Sequence, residues 1–425
     1  MNRIANDTAG KSSQGSSVRQ DASLQEQYEV LCDIRDTIRG ASTQILSDRL
    51  SAAGFDDIPG DALLLLYTIY MSGAAARVLM RRLGINGQAA SQSVETLIMR
   101  RYLEFRDNPN DPRQPTVVLT ERGRAVVGET DAGLQADRWA QFPFRSGDIV
   151  ISTVPKSGTT WMQMICALLI FQTPILPASL PRLSPWLEAP ATSRAKCYAE
   201  LAAQQHRRFI KTHLTLDELP ADPLVTYIVV ARNPLDMAVS WHYHTHELLS
   251  GNNPGELSEN ERPVETARQW LLDGVDKMGA APPGRDNYFD RLLKSLSRAW
   301  ERRTEPNVVL VHYEDLSADL PGEMRRLAGC LDIIVPEDKW PSLIQAATFK
   351  QMQAAANQLQ PMQNVPARNV SKEHTAFFRR GSSGEGRALL TGAEAARYYA
   401  RAAQVAPQDL LAWLHRDDER LDPET

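Results

Sequence analysis

The chain has 425 residues, 43% of them hydrophobic and 23% charged, with a formal net charge of −5. That length accommodates two domains with full cores, and the composition excludes a wholly disordered chain. The slight acidic balance excludes a general pull toward nucleic acid or anionic membrane, so binding of that kind needs a local patch. Cys32, Cys166, Cys197 and Cys330 lie too far apart for a zinc site or a disulfide framework, and reduced thiols are expected. No apolar run is long enough to span a bilayer, and the opening MNRIANDTAGKSSQGSSVRQ has no signal-like apolar stretch. A cytoplasmic protein without membrane contact is expected.

Residues 1–22 are polar and rich in Ser and Gln, which reads as a mobile tail, and a first domain follows over 23–135. The spacing of Leu24, Tyr28, Leu31, Ile34, Ile38, Ile45 and Leu50 predicts a long amphipathic helix. Asp61 caps a second, very apolar one over Ala62–Tyr70. A helix over Ala75–Leu83, a turn at Gly84–Gly87 and a helix over Ala89–Leu103 make a helix-turn-helix. The Pro- and Asp-rich stretch Phe105–Val118 reads as a hairpin, and Thr120 as the cap of a further helix. Over Asp61–Gly128 this pattern, with RRLGI, Asp111 and Arg113 in the wing and the closing LTERG, resembles the winged-helix domain of MarR-type regulators. Nine arginines against five acids between Ala62 and Val127 form a patch for DNA phosphates. The presumed recognition helix, however, opens GQAASQSVET, without a basic residue. DNA binding and a docking or dimerisation platform therefore both stay open.

A second domain is expected over 141–425, and it is organised around GDIVISTVPKSGTTWMQMICALLIF, Gly147–Phe171. Ile149–Val154 is a β-branched apolar run, Pro155–Gly158 breaks it, and Thr159 onward has helical spacing, giving strand, loop and helix. The first N–H groups of such a helix face the loop, where an anion can accept them. Lys156 adds charge, Ser157, Thr159 and Thr160 add hydroxyls, and Gly158 permits close approach. The lysine precedes the glycine, unlike the nucleotide triphosphatase loop GxxxxGK[ST], so a metal-dependent ATPase is a poor fit. Lys156 to Trp161, KSGTTW, instead resembles the 5′-phosphosulfate loop of the cytosolic sulfotransferases, which use 3′-phosphoadenosine 5′-phosphosulfate (PAPS).

Four further stations and a closing basic loop follow. FIKTHL, Phe209–Leu214, is a strand ending in Lys211 and His213, an imidazole able to take a proton from a hydroxyl. YIVVARNPLDMAVSWHY, Tyr227–Tyr243, delivers Arg232 from a strand and Ser240 from the next helix, a fork and a hydroxyl suited to a second phosphate. VVLVHY ends in Tyr313, and ATFKQM brings Thr348, Phe349 and Met352 toward a purine face. Finally, FFRRGSSGEGR places Phe378, Arg379, Arg380 and Gly381 in a basic loop able to close over an anion. Gly386 stands where the family commonly has Trp, and Ala347 where it usually has a hydroxyl. Arg387 and Thr391 match the family's dimer signature only in part, so a homodimer stays open. Asn252–Gly284, rich in Gly, Pro and acids, reads as a lid over the acceptor pocket. Trp186, Trp241 and His242 are candidates to line that pocket.

The resemblance spans about residues 141–414. It implies a P-loop-like three-layer α/β fold with a mainly parallel sheet, preceded by the mostly α winged-helix domain. It also implies sulfuryl transfer from PAPS to a hydroxyl or amine of a small molecule. In that reading His213 is the base, and Lys156 and Lys211 stabilise charge. Lys156, Ser157, Gly158, Thr159, Thr160 and Trp161 hold the 5′-phosphate end; Arg232, Ser240, Phe378, Arg379, Arg380 and Gly381 meet the 3′-phosphate; and Tyr313, Thr348, Phe349 and Met352 lie at the adenine. No metal is implied. The alternative is a transcriptional regulator whose second domain senses PAPS or its product.

Overall fold

A computed structural model describes residues 27–36, 38–39, 43–58, 60–72, 80–81, 83–84, 87–107, 116–189, 193–250, 263–278, 287–359, 378 and 381–416. The polar tail, most of the first helix of the helix-turn-helix, the wing tip with Asp111 and Arg113, and Arg379 and Arg380 lie outside the described residues. The chain divides into two compact units. One ends at Phe142 but also takes in Glu188–Glu200, and the other comprises Pro143–Leu187 and Leu201 onward.

In the first unit, residues 27–36 are helical, followed by α1 (Thr43–Ala52) and α2 (Gly60–Ser72). Helix α2 begins one residue before Asp61, which sits in its first turn rather than capping it. Ala62 to Ile69 of α2 are all buried, as expected of a helix apolar on every side. Helix α3 (Gly87–Met99) leads into β1 (Leu103–Arg106), which pairs antiparallel with β2 (Thr116–Leu119), Leu103 opposite Leu119. The hairpin predicted from Phe105 thus starts two residues earlier, because Tyr102 and Leu103 are drawn into the core. The Thr120 hydroxyl accepts the Gly123 N–H and opens α4 (Glu121–Ala140), a helix of 20 residues whose Val126, Val127, Leu134 and Trp139 are buried.

The second unit is built on a sheet in the order β4-β3-β5-β6, formed by β3 (Ile149–Thr153), β4 (Phe209–Thr212), β5 (Thr226–Ala231) and β6 (Val308–His312). All three pairings are parallel, with Ser152 beside Thr212, Thr153 beside Val230, and Ala231 beside His312. Parallel strands need crossover connections, and those connections bury both faces, which is why the strands are mostly apolar, with Ser152, Thr153, Lys211 and Thr212 near their C-terminal ends. Helix α5 (Thr159–Phe171) makes the first crossover and is almost wholly buried. Other connecting helices are α6 (Arg194–Ala203), most of which falls in the first unit, and α7 (Pro234–Ser250), α8 (Pro263–Asp276) and α9 (Tyr288–Glu301). The stretch read as a lid contains α8, where Ala267, Leu271 and Val275 recur at helical spacing and are buried; its flanks lie outside the described residues.

Below the sheet's start, Arg208 and Asp148, each 2% exposed, form a buried ion pair with Nε to Oδ1 at 2.8 Å. Arg208 also reaches the Pro143 carbonyl at 2.9 Å, and Asp148 accepts the Arg145 N–H at 2.8 Å. Removing one partner strands the other charge. Asp148→Ala is therefore expected to cost about 3–5 kcal/mol, read as a lower urea midpoint at unchanged slope.

Candidate active site

Four C-terminal strand ends meet at one edge of the sheet, where open α/β folds bind ligands. The loop after β3 is the tightest. Lys156 has φ +75 and Gly158 has φ +114, so two positions on either side of Ser157 turn the backbone through the left-handed region before α5 begins. A side chain at Gly158 would have its Cβ 3.0 Å from the Tyr313 ring, so glycine serves both the turn and the packing. The Ser157 hydroxyl turns inward to the Val154 carbonyl at 2.8 Å, and the Thr153 and Thr159 hydroxyls pair at 2.7 Å. Thr160 is buried in the first turn of α5. Trp161 donates its indole N–H to Ala347 O at 2.8 Å and meets the Tyr313 ring edge-on at 5.2 Å.

His213 follows β4. Its Nδ1 lies 2.7 Å from Thr153 O, and a carbonyl only accepts, so Nδ1 carries the proton and Nε2 the lone pair. Burial first, then the charges of Lys211 and Lys156, press its pKa down to about 3. His244, on α7, is pressed down to about 4 by burial and by the same two lysines, which places it in the same field. The Trp186 ring stands edge-on to His213 at 5.2 Å, and Lys211 Nζ lies 4.8 Å from its centre.

Arg232, 9% exposed, sits between β5 and α7 with its guanidinium 4.3 Å from the Tyr313 ring centre. Its Nη2 donates to Ser382 O at 2.7 Å, while Nε is buried without a partner among the described residues. An unsatisfied buried donor is costly, and an anion would relieve it. Ser240 is half-buried on the second turn of α7.

The basic loop closes against α7. Asp236, in the first turn of α7, accepts the N–H groups of Gly384 at 2.7 Å and Gly386 at 2.8 Å. Ser383 donates to Glu314 at 2.7 Å, and Glu314 reaches His312 Nδ1 at 2.6 Å. Burial would raise the Glu314 carboxyl, but His312, Ser383 and Arg232 together hold it below the usual range. A Cβ on Gly386 would lie 2.3 Å from the Leu235 carbonyl carbon, so only glycine lets the helical turn α10 (Glu385–Ala388) rest on α7. Gly381 lies against the Phe349 ring, which meets Phe378 at 5.9 Å. Met352 is buried, and the Thr348 hydroxyl donates to Gln345 O at 2.8 Å while accepting the Gln351 N–H as the cap of the short helix Phe349–Ala354.

The structure thus sets Lys211 and His213 against Trp186, with Lys156 near enough to His213 to act on its charge, and brings Arg232, Tyr313 and the Gly381–Gly386 loop to the start of α7. Sequence reasoning passed over Asp236, Glu314, Ser382, Ser383 and His244. Asp236 alone carried a local signal, an acid in the first turn after Pro234.

A family model described as the sulfotransferase domain matches residues 146–405. The chain belongs to the sulfotransferase family. A glycolipid sulfotransferase of Mycobacterium bovis is 39% identical over 317 residues, 68% of this chain and 95% of that protein. Sulfotransferase 1B1 of Mus musculus is 28% identical over 268 residues, 61% and 82% of the two chains. A solved mouse sulfotransferase complexed with PAP covers 67% of this sulfotransferase and 93% of its own chain, at 21% identity and a TM-score of 0.47. A second family model, the MarR family, matches residues 56–114. In that part of the sulfotransferase several arginines of the expected phosphate patch are engaged locally. Arg122 donates to Tyr102 at 2.7 Å and Asp57 at 3.3 Å, and Arg106 pairs with Glu104 at 2.9 Å. Among the described residues no helix is long and apolar enough to cross a membrane.

Gly386→Ala is expected to lift the loop off α7 and break both bonds to Asp236. Amide hydrogen exchange at Gly384 and Gly386 should then rise at least about tenfold, with the sheet amides unchanged.

Proposed function

We propose that this sulfotransferase moves a sulfuryl group from PAPS to a hydroxyl or amine acceptor, with His213 as general base. The observation that carries the proposal is the tautomer of His213: the Thr153 carbonyl holds Nδ1–H, so Nε2 is the atom that takes the acceptor's proton. The acceptor oxygen bonds to sulfur as the sulfur–oxygen bond to the 5′-phosphate breaks. The electron pair stays on the phosphate oxygen. Lys156 and the first N–H groups of α5 neutralise that charge, and Lys211 faces the transferred group.

Residues at both ends of the site fit a nucleotide with two separate phosphates. Ser157 and Thr159 brace the phosphosulfate loop by their side chains, which leaves the 5′-phosphate to the loop amides, Lys156, Gly158 and Thr160. At the other end Arg232 Nε, buried without a partner among the described residues, supports an anion ligand, and Ser240, Phe378, Gly381, Arg379 and Arg380 are the further contacts that the proposal gives it. Trp161, Tyr313, Phe349 and Met352 supply apolar surface for the adenine. Thr348 then acts through its cap on the helix that carries Phe349 and Met352. A relative at 39% identity is named a glycolipid sulfotransferase, which makes a saccharide hydroxyl on an amphiphile the first acceptor to test.

His213→Ala is expected to lower sulfuryl transfer at least about a hundredfold while leaving the dissociation constant of 3′,5′-bisphosphoadenosine within about twofold, by calorimetry. Retained transfer would overturn the base assignment. Because the His213 pKa is depressed to about 3, the base stays neutral as pH falls from about 7 to about 5. kcat/KM should therefore hold steady over that range, where an unperturbed imidazole would lose about thirtyfold.

A further inference from the structure

The sulfotransferase match runs without a break from residue 146 to 405, yet Glu188–Glu200 within it belong to the same compact unit as the N-terminal residues. The attachment is specific and buried. Trp139, with no exposed surface, donates its indole N–H to Glu188 at 2.9 Å, and Glu188 is 2% exposed. Arg194 pairs with Asp137 at 3.0 Å and with Gln141 at 3.2 Å, and its backbone N–H goes to Asp33. Tyr198 donates to the Arg138 carbonyl and meets Phe142 edge-on at 5.4 Å. Carboxylates taken out of water keep their place only where such donors meet them, so Glu188 has one position it can occupy.

Two residues before Glu188 stands Trp186. Its backbone bridges in parallel to Lys211, and the Pro185 carbonyl accepts the Lys211 N–H at 3.0 Å. The ring lies against both His213 and Lys211, and its Nε1–H is buried without a partner among the described residues. A donor in that state beside the base suits an acceptor oxygen. Trp186 also screens His213 from water, and burial is the largest cause of that imidazole's low pKa.

We infer that Trp139 is a positioning residue for sulfuryl transfer. Its bond to Glu188 fixes the short run Trp186–Glu188, and so fixes the indole that packs on the base and meets the acceptor. The long helix α4, which lies outside the sulfotransferase match, is on this view part of what shapes acceptor binding. The inference rests on the proposed base role of His213 for its pH readout, while its acceptor readout stands apart from that role.

The test compares Trp139→Phe, Glu188→Ala and Glu188→Gln in the full chain, with PAPS and an amphiphilic glycoside that the unmodified protein sulfates. Trp139→Phe keeps an aromatic ring, smaller than the indole, and loses the N–H. It is expected to raise the acceptor KM about fivefold, the scale of one hydrogen bond, with the dissociation constant of 3′,5′-bisphosphoadenosine within about twofold. Loosening Trp186 admits water to His213 and raises its pKa, so the acid limb of kcat/KM should move to higher pH in this variant. Glu188→Ala should behave alike, and Glu188→Gln, whose amide oxygen still accepts the indole N–H, should restore the acceptor KM to within about twofold. An unchanged acceptor KM and pH limb in Trp139→Phe overturns the inference. So does a loss shared equally by acceptor and nucleotide, which would mark general unfolding. A base failure shows differently, as full transfer by His213→Ala with the acceptor effect of Trp139→Phe intact.

Discussion

The hydrogen bond from His213 to the Thr153 carbonyl joins the C-terminal ends of two neighbouring parallel strands, and the chemistry of the site depends on it. A carbonyl can only accept, so the bond fixes which ring nitrogen holds the proton. The strand register puts that carbonyl immediately before the Lys156 loop, so one short contact ties the proposed base to the turn proposed to receive the leaving group. Two lysines flank the same point. Their charge and the burial of the ring keep the imidazole neutral, the state a proton acceptor needs. The same field reaches His244, so both histidines are held in the neutral form.

The other end of the site is organised by two carboxylates and one arginine. Asp236 and Glu314 are both largely buried, and both spend their oxygens on the Gly384, Gly386 and Ser383 donors of one loop. Arg232 takes the Ser382 carbonyl of the same loop. Three side chains from two strand ends and a helix start thus hold a segment that has little core of its own. The loop is short of apolar residues, so backbone hydrogen bonds do the holding, and glycine at 386 is what allows them to reach.

The first unit shows how local context reassigns charged residues. An arginine count suggested a surface for phosphates, but Arg122 lies on the Tyr102 ring at 4.7 Å and between Tyr102 and Asp57. Burial of Tyr102 against the helix after the hairpin calls for such a partner. Helix α4 gives its C-terminal turns, Asp137, Arg138 and Trp139, to Glu188–Glu200, and so belongs to more than the winged-helix pattern that the MarR match describes.

Strand, loop and helix around Lys156, the strand ends carrying His213, Arg232 and Tyr313, and the order of those stations were legible in the sequence. Each is a local pattern: an apolar β-branched run, a breaker, and a residue of a given chemistry at the break. The hairpin and the Thr120 cap were legible for the same reason. What no local pattern holds is pairing at a distance. The Thr153 partner of His213, the Asp236 and Glu314 anchors of the basic loop and the Trp139 bond to Glu188 join residues 49 to 150 positions apart. The meaning of Gly386 also waited on the fold, since a bare Cα is a vacancy in sequence and a point of contact once α10 lies on α7. Sequence fixes which groups are present and the elements that carry them; register and close packing decide which groups meet, because only there are distances and burial set.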